Sequence, residues 1–272
     1  MKLDDIRKLR QKKYRAEFQH FVVEGEHLVL ELEKAARSKP ALSNCELFVT
    51  GAYKNWQGPF VKHAITEKQM TQISDTKSPQ GIAALVPFSP GRGSSGGAEK
   101  ATTRAIYLHE VQDPGNLGTI LRSLAWFGGF ECLLSPGSVD PYNPKVVRSS
   151  MGAIFHVPLE LEVDIDSLAQ RFQSIAYLDL TGSKLTDPGF RDFDCYLFGN
   201  EARGVPKDNI AGMNARPFTI AGCGAIETCG CTARRLSDAT YRCGSRACGR
   251  TGRGSRRPIG SNFPATCLDW EC

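Results

Sequence analysis

The sequence has no run of about 18–20 consecutive apolar residues, so it contains no segment that is predicted to span a bilayer. Its charged first fifteen residues lack the apolar core of a secretory signal, which predicts a cytoplasmic protein. No G-x-G-x-x-G follows the first predicted strand of the second half, which argues against a dinucleotide-dependent enzyme. The 272 residues are 41% hydrophobic and 23% charged, which suits one large packed domain or two modest ones.

The last 45 residues, 228–272, contain no Lys, Val, Met, His or Gln, but they contain eight Arg. Six of the ten cysteines also lie in this tail. Three acidic residues oppose the eight Arg there, so the tail alone accounts for the net charge of +5 of the whole chain. The rest of the chain carries 26 basic and 26 acidic side chains. The overall charge therefore does not indicate a nucleic-acid partner, and any such argument must be local.

The cysteines of the tail allow a metal site as one interpretation. Cys229 and Cys231 form a C-x-C spacing, and Cys243 and Cys248 form C-x4-C. Structural zinc sites typically use paired C-x2-C or His ligands, and the tail has neither, so no metal is predicted. Disulfides are also disfavoured, because the chain shows no export signal. We predict instead an Arg/Gly/Cys-rich tail that packs poorly.

Gly and Ser dominate residues 89–103, which predicts a flexible linker between two α/β domains. The first domain, 1–88, is predicted to alternate strands and helices from residue 18 onward: strands at 18–25, 45–50 and 81–88, helices at 25–38 and 66–74. The second, 104–227, is predicted to have strands at 104–111, 130–135, 174–180, 194–199 and 216–222, and helices at 116–128, 143–150 and 164–173. This alternation predicts a mostly parallel sheet in the second domain, with ligands at the carboxyl ends of its strands.

A basic cluster lies at the start of the chain, where residues 1–15 carry seven basic and two acidic side chains. It fits either a solvated helix face or a patch that contacts RNA phosphates. Under the second interpretation Lys12, Lys13 and Arg15 are candidate RNA-binding residues.

A strand, a Pro-Gly turn and a helix are predicted over HEVQDPGNLGTILRSLAWFGG, 109–129. Asn116 and Arg122 fall within the first two turns of this helix. A helix N-terminus beside an Arg side chain is a suitable anion site. The alternative is that Asn116 caps the helix and Arg122 pairs with a surface carboxylate.

Two further segments place small and polar residues at predicted element ends. In NPKVVRSSMGAIFHVPL, 143–159, Arg148 is followed by small residues that permit close backbone approach. In YLFGNEARGVP, 196–206, Gly199 lets a ligand approach the backbone. Glu201 at this strand end fits either an acid/base group or a solvated turn residue.

In combination, D-P-G-N-x-G-x-x-x-R, R-S-S-M-G, L-F-G-N-E-x-x-G-V-P and F-T-I-A-G resemble the TrmH (SpoU) branch of the SPOUT RNA methyltransferases over 104–227. KKYR, FVVEGEHLV and SDTKSPQGIAALV are similar to the small RNA-binding domain of that family. The resemblance implies a trefoil knot in the second domain, S-adenosylmethionine bound in the knot, and a homodimer with its active site at the subunit interface. It also implies methylation of a ribose 2′-hydroxyl in rRNA or tRNA.

The resemblance further implies roles for individual residues. Arg122 is the catalytic arginine, Asn116 and Glu201 support the site, and Arg148 belongs to the RNA-binding set. These roles suit the chemistry, because a sugar hydroxyl is a poor acid and its developing negative charge needs a fixed positive group nearby.

The cofactor side of the resemblance is incomplete. Backbone groups of Gly199 and Ile220 are expected to hold the cofactor, and Cys229 stands where the family has a cofactor-contacting Leu. The family pattern Ser-Leu-Asn-Val should follow Glu227, but Thr-Cys-Gly-Cys stands there, with Gly230 in place of the active-site Asn. The long helix that follows in the family is also missing from the pattern, which implies an incomplete knot.

Two functional hypotheses follow from this break. The first is an RNA 2′-O-methyltransferase, and the second is a catalytically impaired RNA-binding protein that lacks the third family motif. A shifted reading frame after the codon for Glu227 explains the abrupt change, and it predicts that this chain binds S-adenosylmethionine weakly or not at all.

Overall fold

The computed structural model describes residues 1–88 and 103–220. Cys229 and the remainder of the predicted tail lie outside these ranges, as does all of the predicted linker except Thr103. None of the helices within the two ranges combines the length and the apolarity that crossing a bilayer requires.

The first range folds around a four-stranded sheet with the order β1-β4-β2-β3. Its strands are β1 (His20–Glu24), β2 (Glu46–Val49), β3 (Val61–Ala64) and β4 (Ile82–Pro87). Its helices are α1 (Leu3–Lys8), α2 (Lys12–Phe18), α3 (Glu26–Ala36) and α4 (Glu67–Ile73), with 3-10 turns at Pro40–Leu42 and Gly51–Tyr53. Strand β4 is antiparallel to both β1 and β2, whereas β3 is parallel to β2.

The strands and helices predicted for residues 18–88 are confirmed, and α4 begins at a capping box in which Thr66 and Gln69 satisfy each other's backbone donors. Strand β3 was missed. Its side chains are mostly exposed, so it shows neither the alternation nor the apolar run on which strand prediction depends.

The second range contains a six-stranded, entirely parallel sheet with the order β10-β8-β9-β5-β6-β7. Its strands are β5 (Arg104–Leu108), β6 (Phe130–Leu134), β7 (Leu159–Glu160), β8 (Ile175–Lys184), β9 (Cys195–Phe198) and β10 (Ala215–Thr219). Its helices are α5 (Pro114–Phe127), α6 (Pro144–Ser149), α7 (Leu168–Arg171) and α8 (Lys207–Ile210), with 3-10 turns at Ala153–Phe155, Ile165–Ser167 and Pro188–Asp192. The predicted parallel α/β architecture is therefore confirmed.

The two described ranges pack against each other through buried apolar side chains. One apolar cluster combines Phe21 and Leu28 of the first range with Val147, Ile154 and Phe155 of the second. Such burial of apolar area is the dominant favourable contribution to association between folded units. The first domain is therefore fixed against helix α6 and the following 3-10 turn of the second by a continuous core.

An ion pair and a hydrogen bond also connect the two halves across this interface. The buried Arg15 guanidinium pairs with the partly buried Asp140 carboxylate, with Nε 2.8 Å from Oδ2. The Lys39 ammonium donates to the Phe155 carbonyl at 2.6 Å, and burial lowers the pKa of Lys39. These contacts hold one relative orientation of the two halves, because each satisfies a group that is removed from water.

Candidate active site

Helix α5 starts with a side-chain cap at the carboxyl edge of the parallel sheet. Asp113 Oδ1 accepts a hydrogen bond from the Asn116 backbone N–H at 2.7 Å, and Pro114 occupies the first helical position. The helix therefore begins two residues before the predicted start at Asn116. Because Asp113 is the cap, the Asn116 side chain is free for another contact, and the capping alternative for Asn116 is wrong.

Asn116 contacts Glu201, a residue that lies 85 positions later in the chain. Asn116 Nδ2 donates to Glu201 Oε1 at 3.2 Å, and both residues are half-buried. The start of α5 and the turn after β9 thus meet at the same sheet edge. Two of the predicted site residues are brought together by this contact.

Arg122 lies on the exposed face of the same helix. Its Nη2 donates to Thr119 Oγ1 at 3.2 Å. Within residues 1–88 and 103–220 it forms no ion pair with a carboxylate, so the alternative of a surface salt bridge is not observed there. Trp126, one turn further along this face, is 85% exposed.

Gly199 ends β9 where two backbone segments lie in close contact. A Cβ at this position would overlap the Gly204 carbonyl and the Val205 nitrogen. Asn200 and Gly204 then close a short turn through two backbone hydrogen bonds of 3.0 and 2.9 Å. The segment that lies close to the Gly199 backbone is therefore the chain's own backbone at Gly204 and Val205. This close packing fixes the turn that carries Glu201.

The Asn200 side chain stabilises that turn from inside. Its Oδ1 accepts from the backbone N–H groups of Ala202 and Arg203 at 2.9 and 3.1 Å, and its Nδ2 donates to the Glu110 carbonyl at 2.8 Å. Asn200 is buried, so these bonds replace water that the amide has lost.

Glu110 joins three loops at this edge, and sequence reasoning missed it. Its N–H donates to Ser135 Oγ at 2.7 Å, its carbonyl accepts from Asn200, and its carboxylate pairs with Arg203. Its φ of +49° lies in the left-handed region, which Glu seldom adopts. A glycine or asparagine there would have signalled a turn, but a glutamate gives no such signal.

His109 precedes this junction at the end of β5. Its Nδ1 is buried and has no hydrogen-bond partner in the described part of the chain. Burial lowers the pKa of His109. The neighbouring Arg203 acts in the same direction, whereas Glu110 opposes it. The imidazole is therefore kept neutral near pH 7.

Ile220 follows β10 and packs against the second-domain core. Gly199 and Ile220 lie at the same carboxyl edge, because their strands run parallel, and β8 separates the two strands. Their predicted cofactor contacts stay predictions.

The predicted RNA-binding residues occupy three kinds of environment. The Lys12 side chain is 64% exposed, and its ammonium lies 3.2 Å from a Glu162 carboxylate oxygen. Lys13 is exposed and lies over the Tyr14 ring, at 5.7 Å from its centroid. Arg148 is partly exposed and pairs with Asp75 of the first domain at 3.1 Å.

Arg15 requires a correction. Its side chain is 3% exposed, and its guanidinium already donates to Asp140 and to the carbonyls of Leu9 and Arg10. A guanidinium in this position cannot reach a phosphate in solvent. Arg15 therefore joins the two domains instead of contacting RNA, and only its basic character was visible in the sequence.

Family models match both halves of the chain. Residues 103–227 match the SpoU rRNA Methylase family, and residues 1–84 match the MRM3-like substrate binding domain. The first match ends at Glu227, which is the residue after which the composition of the chain changes.

Two curated relatives illustrate the similarity. The 23S rRNA (guanosine(2553)-2′-O)-methyltransferase RlmP of Bacillus subtilis is 33% identical over 160 residues, which cover 58% of this chain and 60% of that protein. The mitochondrial rRNA methyltransferase 3A of Danio rerio is 41% identical over 102 residues, which cover 36% of this chain and 23% of that protein. The chain therefore spans less than two thirds of the length of either relative.

Two solved structures illustrate the similarity in fold. A TrmH-family protein from Porphyromonas gingivalis is 28% identical and gives a TM-score of 0.74, covering 90% of this chain and 97% of that one. An AdoMet-bound rRNA methyltransferase from Sinorhizobium meliloti is 23% identical and gives a TM-score of 0.70, covering 90% of this chain and 94% of that one.

Proposed function

We propose that this chain, of which residues 103–227 match the SpoU rRNA Methylase family, transfers a methyl group from S-adenosylmethionine to a ribose 2′-hydroxyl of rRNA or tRNA. The observation that carries this proposal is the contact between Asn116 and Glu201. The helix that bears Asn116 also bears the exposed Arg122, which has no carboxylate partner among the described residues. These three residues are the ones to which the motifs assign the reaction.

Arg122 performs the electrostatic part of this reaction. Its guanidinium keeps its charge at every physiological pH, so it stabilises the negative charge that develops on the attacking ribose oxygen. Asn116 and Glu201 orient the nucleotide substrate in the site. Their hydrogen bond commits one amide proton and one carboxylate oxygen, and it leaves the remaining lone pairs for the nucleotide.

Gly199 and Ile220 are the residues that hold the cofactor, through backbone groups at the carboxyl edge. The turn after Gly199 is closed by its own hydrogen bonds, so this wall is formed before any ligand arrives, as in most ligand sites. When bound, the cofactor supplies an electrophilic methyl group on a sulfonium. Cys229 belongs to the same predicted site and lies outside the described residues.

The first domain holds the RNA. Its match to a substrate binding domain supports this role, as do the exposed side chains of Lys12 and Lys13. Arg148 of the second domain, which is partly exposed and pairs with Asp75 of the first, extends the same basic surface. Phosphate contacts of this kind supply affinity without sequence readout.

The protein acts as a homodimer in the cytoplasm. Trp126 supports the dimer, because an indole that is 85% exposed one turn from Arg122 is suited to burial against a second copy. Replacement of Trp126 by Arg should then yield monomers in light scattering, whereas a tryptophan that serves no interface would leave the mass unchanged. The trefoil knot belongs to the same proposal.

A second candidate function is RNA binding without catalysis. It is favoured by the end of the family match at Glu227 and by Cys229 and Gly230 in place of the family's Leu and Asn. Calorimetric titration of S-adenosylmethionine into this chain and into the Cys229→Leu/Gly230→Asn variant separates the two candidates. Binding that appears only in the variant favours the second candidate, and equal binding by both favours the first.

Methyl transfer from labelled S-adenosylmethionine to total RNA tests the leading proposal. We expect label in RNA with this chain and at least a hundredfold less with Arg122→Ala. Equal labelling by both proteins would rule out the assigned role of Arg122.

A further inference from the structure

The Thr119 hydroxyl lies between a backbone carbonyl and the Arg122 guanidinium. Thr119 Oγ1 donates to the Gly115 carbonyl at 3.0 Å, and Arg122 Nη2 lies 3.2 Å from the same Oγ1. The three residues follow one another along α5 at spacings of four and three positions, so they lie on one face of the helix.

The polarity of this chain of hydrogen bonds is fixed. A hydroxyl has one proton, and a carbonyl can only accept, so the Thr119 proton points to Gly115. The oxygen lone pairs then face Arg122, whose guanidinium can only donate. The bond from a threonine hydroxyl to the carbonyl four residues earlier is a common helical geometry, and it sets the χ1 rotamer of Thr119.

Arg122 depends on this contact for its orientation. It is exposed, and in the described residues its guanidinium pairs with no carboxylate. An arginine side chain has several rotatable bonds, so an unrestrained guanidinium would sample many positions above the helix. Thr119 supplies the hydrogen-bond acceptor that favours one of them.

We propose that Thr119 is a positioning residue for the reaction, which orients the Arg122 guanidinium toward the ribose oxygen. The proposal rests on the proposed function, because Arg122 must be oriented only if it acts on a substrate. Reactive groups that are misplaced by about 1 Å can lose about a hundredfold in rate, so a weak hydrogen bond at this position has a measurable effect.

Three substitutions test the proposal. Thr119→Val keeps the shape of the side chain and removes the hydroxyl, whereas Thr119→Ser keeps the hydroxyl. Ser123→Ala is the matched control, because Ser123 Oγ makes the same kind of bond to the Thr119 carbonyl, at 3.2 Å, on the same helix without touching Arg122. Any general effect of removing a helical hydroxyl should therefore also appear in Ser123→Ala.

The first measurement is NMR of the Arg122 side chain in protein labelled with 15N-arginine and assigned with Arg122→Lys. We expect rotation of the guanidinium about Nε–Cζ to accelerate at least threefold in Thr119→Val and to stay unchanged in Thr119→Ser and Ser123→Ala. Equal rotation rates in all four proteins would overturn the proposal, and this readout needs neither cofactor nor RNA.

The second measurement is the methyl-transfer rate. We expect kcat to fall about tenfold in Thr119→Val, with KM values within twofold, and Thr119→Ser to retain most of the activity. A Thr119→Val variant with the unchanged kcat would overturn the proposal. A parent chain that transfers no methyl group would instead count against the proposed function, and the NMR comparison would then decide the role of Thr119.

Discussion

Asn116 Nδ2 donates to Glu201 Oε1 at 3.2 Å, and this one hydrogen bond connects the first turn of α5 to the turn after β9. Neither residue caps its own element, since Asp113 caps α5 and Asn200 holds the turn. Both side chains are therefore available at the carboxyl edge of the sheet, which is where parallel sheets bind their ligands.

The amide and the carboxylate of this pair can be exchanged between the two positions. Asn116→Asp places a second carboxylate against Glu201, and repulsion between like charges should raise the pKa of one carboxyl and lower the free energy of unfolding by about 1–2 kcal/mol. The Asn116→Asp/Glu201→Gln double variant restores a carboxylate–amide pair and should recover that loss without recovering methyl transfer. Urea unfolding at pH 7.5 measures the free energy of unfolding of the single and the double variant. Equal values for the two variants would show that the contact is not formed.

Gly199 should not tolerate a side chain. In Gly199→Ala the new Cβ overlaps the backbone of Gly204 and Val205, which we expect to lower the free energy of unfolding by about 1–3 kcal/mol. Gly212→Ala is the control, because a Cβ there has no neighbouring atom within 4 Å. If the two variants unfold at the same urea concentration, the close approach at Gly199 does not exist in solution.

Arg15 should matter for stability and not for RNA affinity. Arg15→Met leaves the largely buried Asp140 carboxylate without a charged partner, with only the Tyr142 N–H still donating to it, which typically lowers the free energy of unfolding by about 3–5 kcal/mol. Arg15→Met/Asp140→Leu removes both charges and should recover most of this loss.

The same variants, compared with Lys12→Ala/Lys13→Ala, separate the two roles of the basic segment. The lysine variant should bind RNA more weakly and with a shallower salt dependence at unchanged stability. A stable Arg15→Met protein with weakened RNA binding would instead support the phosphate contact that the sequence predicted.

His109 should make the protein less stable in mild acid. Its pKa is lowered in the folded state, so the unfolded chain binds the proton more readily. Stability is therefore complete above the ordinary imidazole pKa of about 6.5 and decreases as the pH falls below it, until the folded-state pKa is reached. The difference in urea midpoint between pH 7.5 and pH 5.5 should be smaller in His109→Gln than in the parent chain, and an identical difference would remove His109 as the cause.

Most strands of the second domain were predictable from short apolar runs that end in turn residues. Strand β9 is the clearest case, since all four of its residues are buried and glycine follows it. Asn116, Arg122 and Glu201 were found by motif, because their residue types at strand and helix ends are chemically distinctive. Strand β7 was missed because two residues are too short for any periodicity.

Contacts between distant residues were not predictable. Arg15 and Asp140 are 125 positions apart, and nothing near either of them signals a partner. The role of Glu110 depends on a left-handed backbone that its residue type disfavours. The Thr119–Arg122 spacing was visible in principle, since residues three apart share a helix face, but only the structure shows which way the hydroxyl points.

The central claim is ribose methylation of RNA, and the most direct test maps 2′-O-methyl groups in rRNA and tRNA from cells with and without the gene. We predict that one or a few specific ribose methylations disappear when the gene is deleted, and that they return with the parent gene but not with Arg122→Ala. Identical methylation maps in all of these cells would contradict the claim.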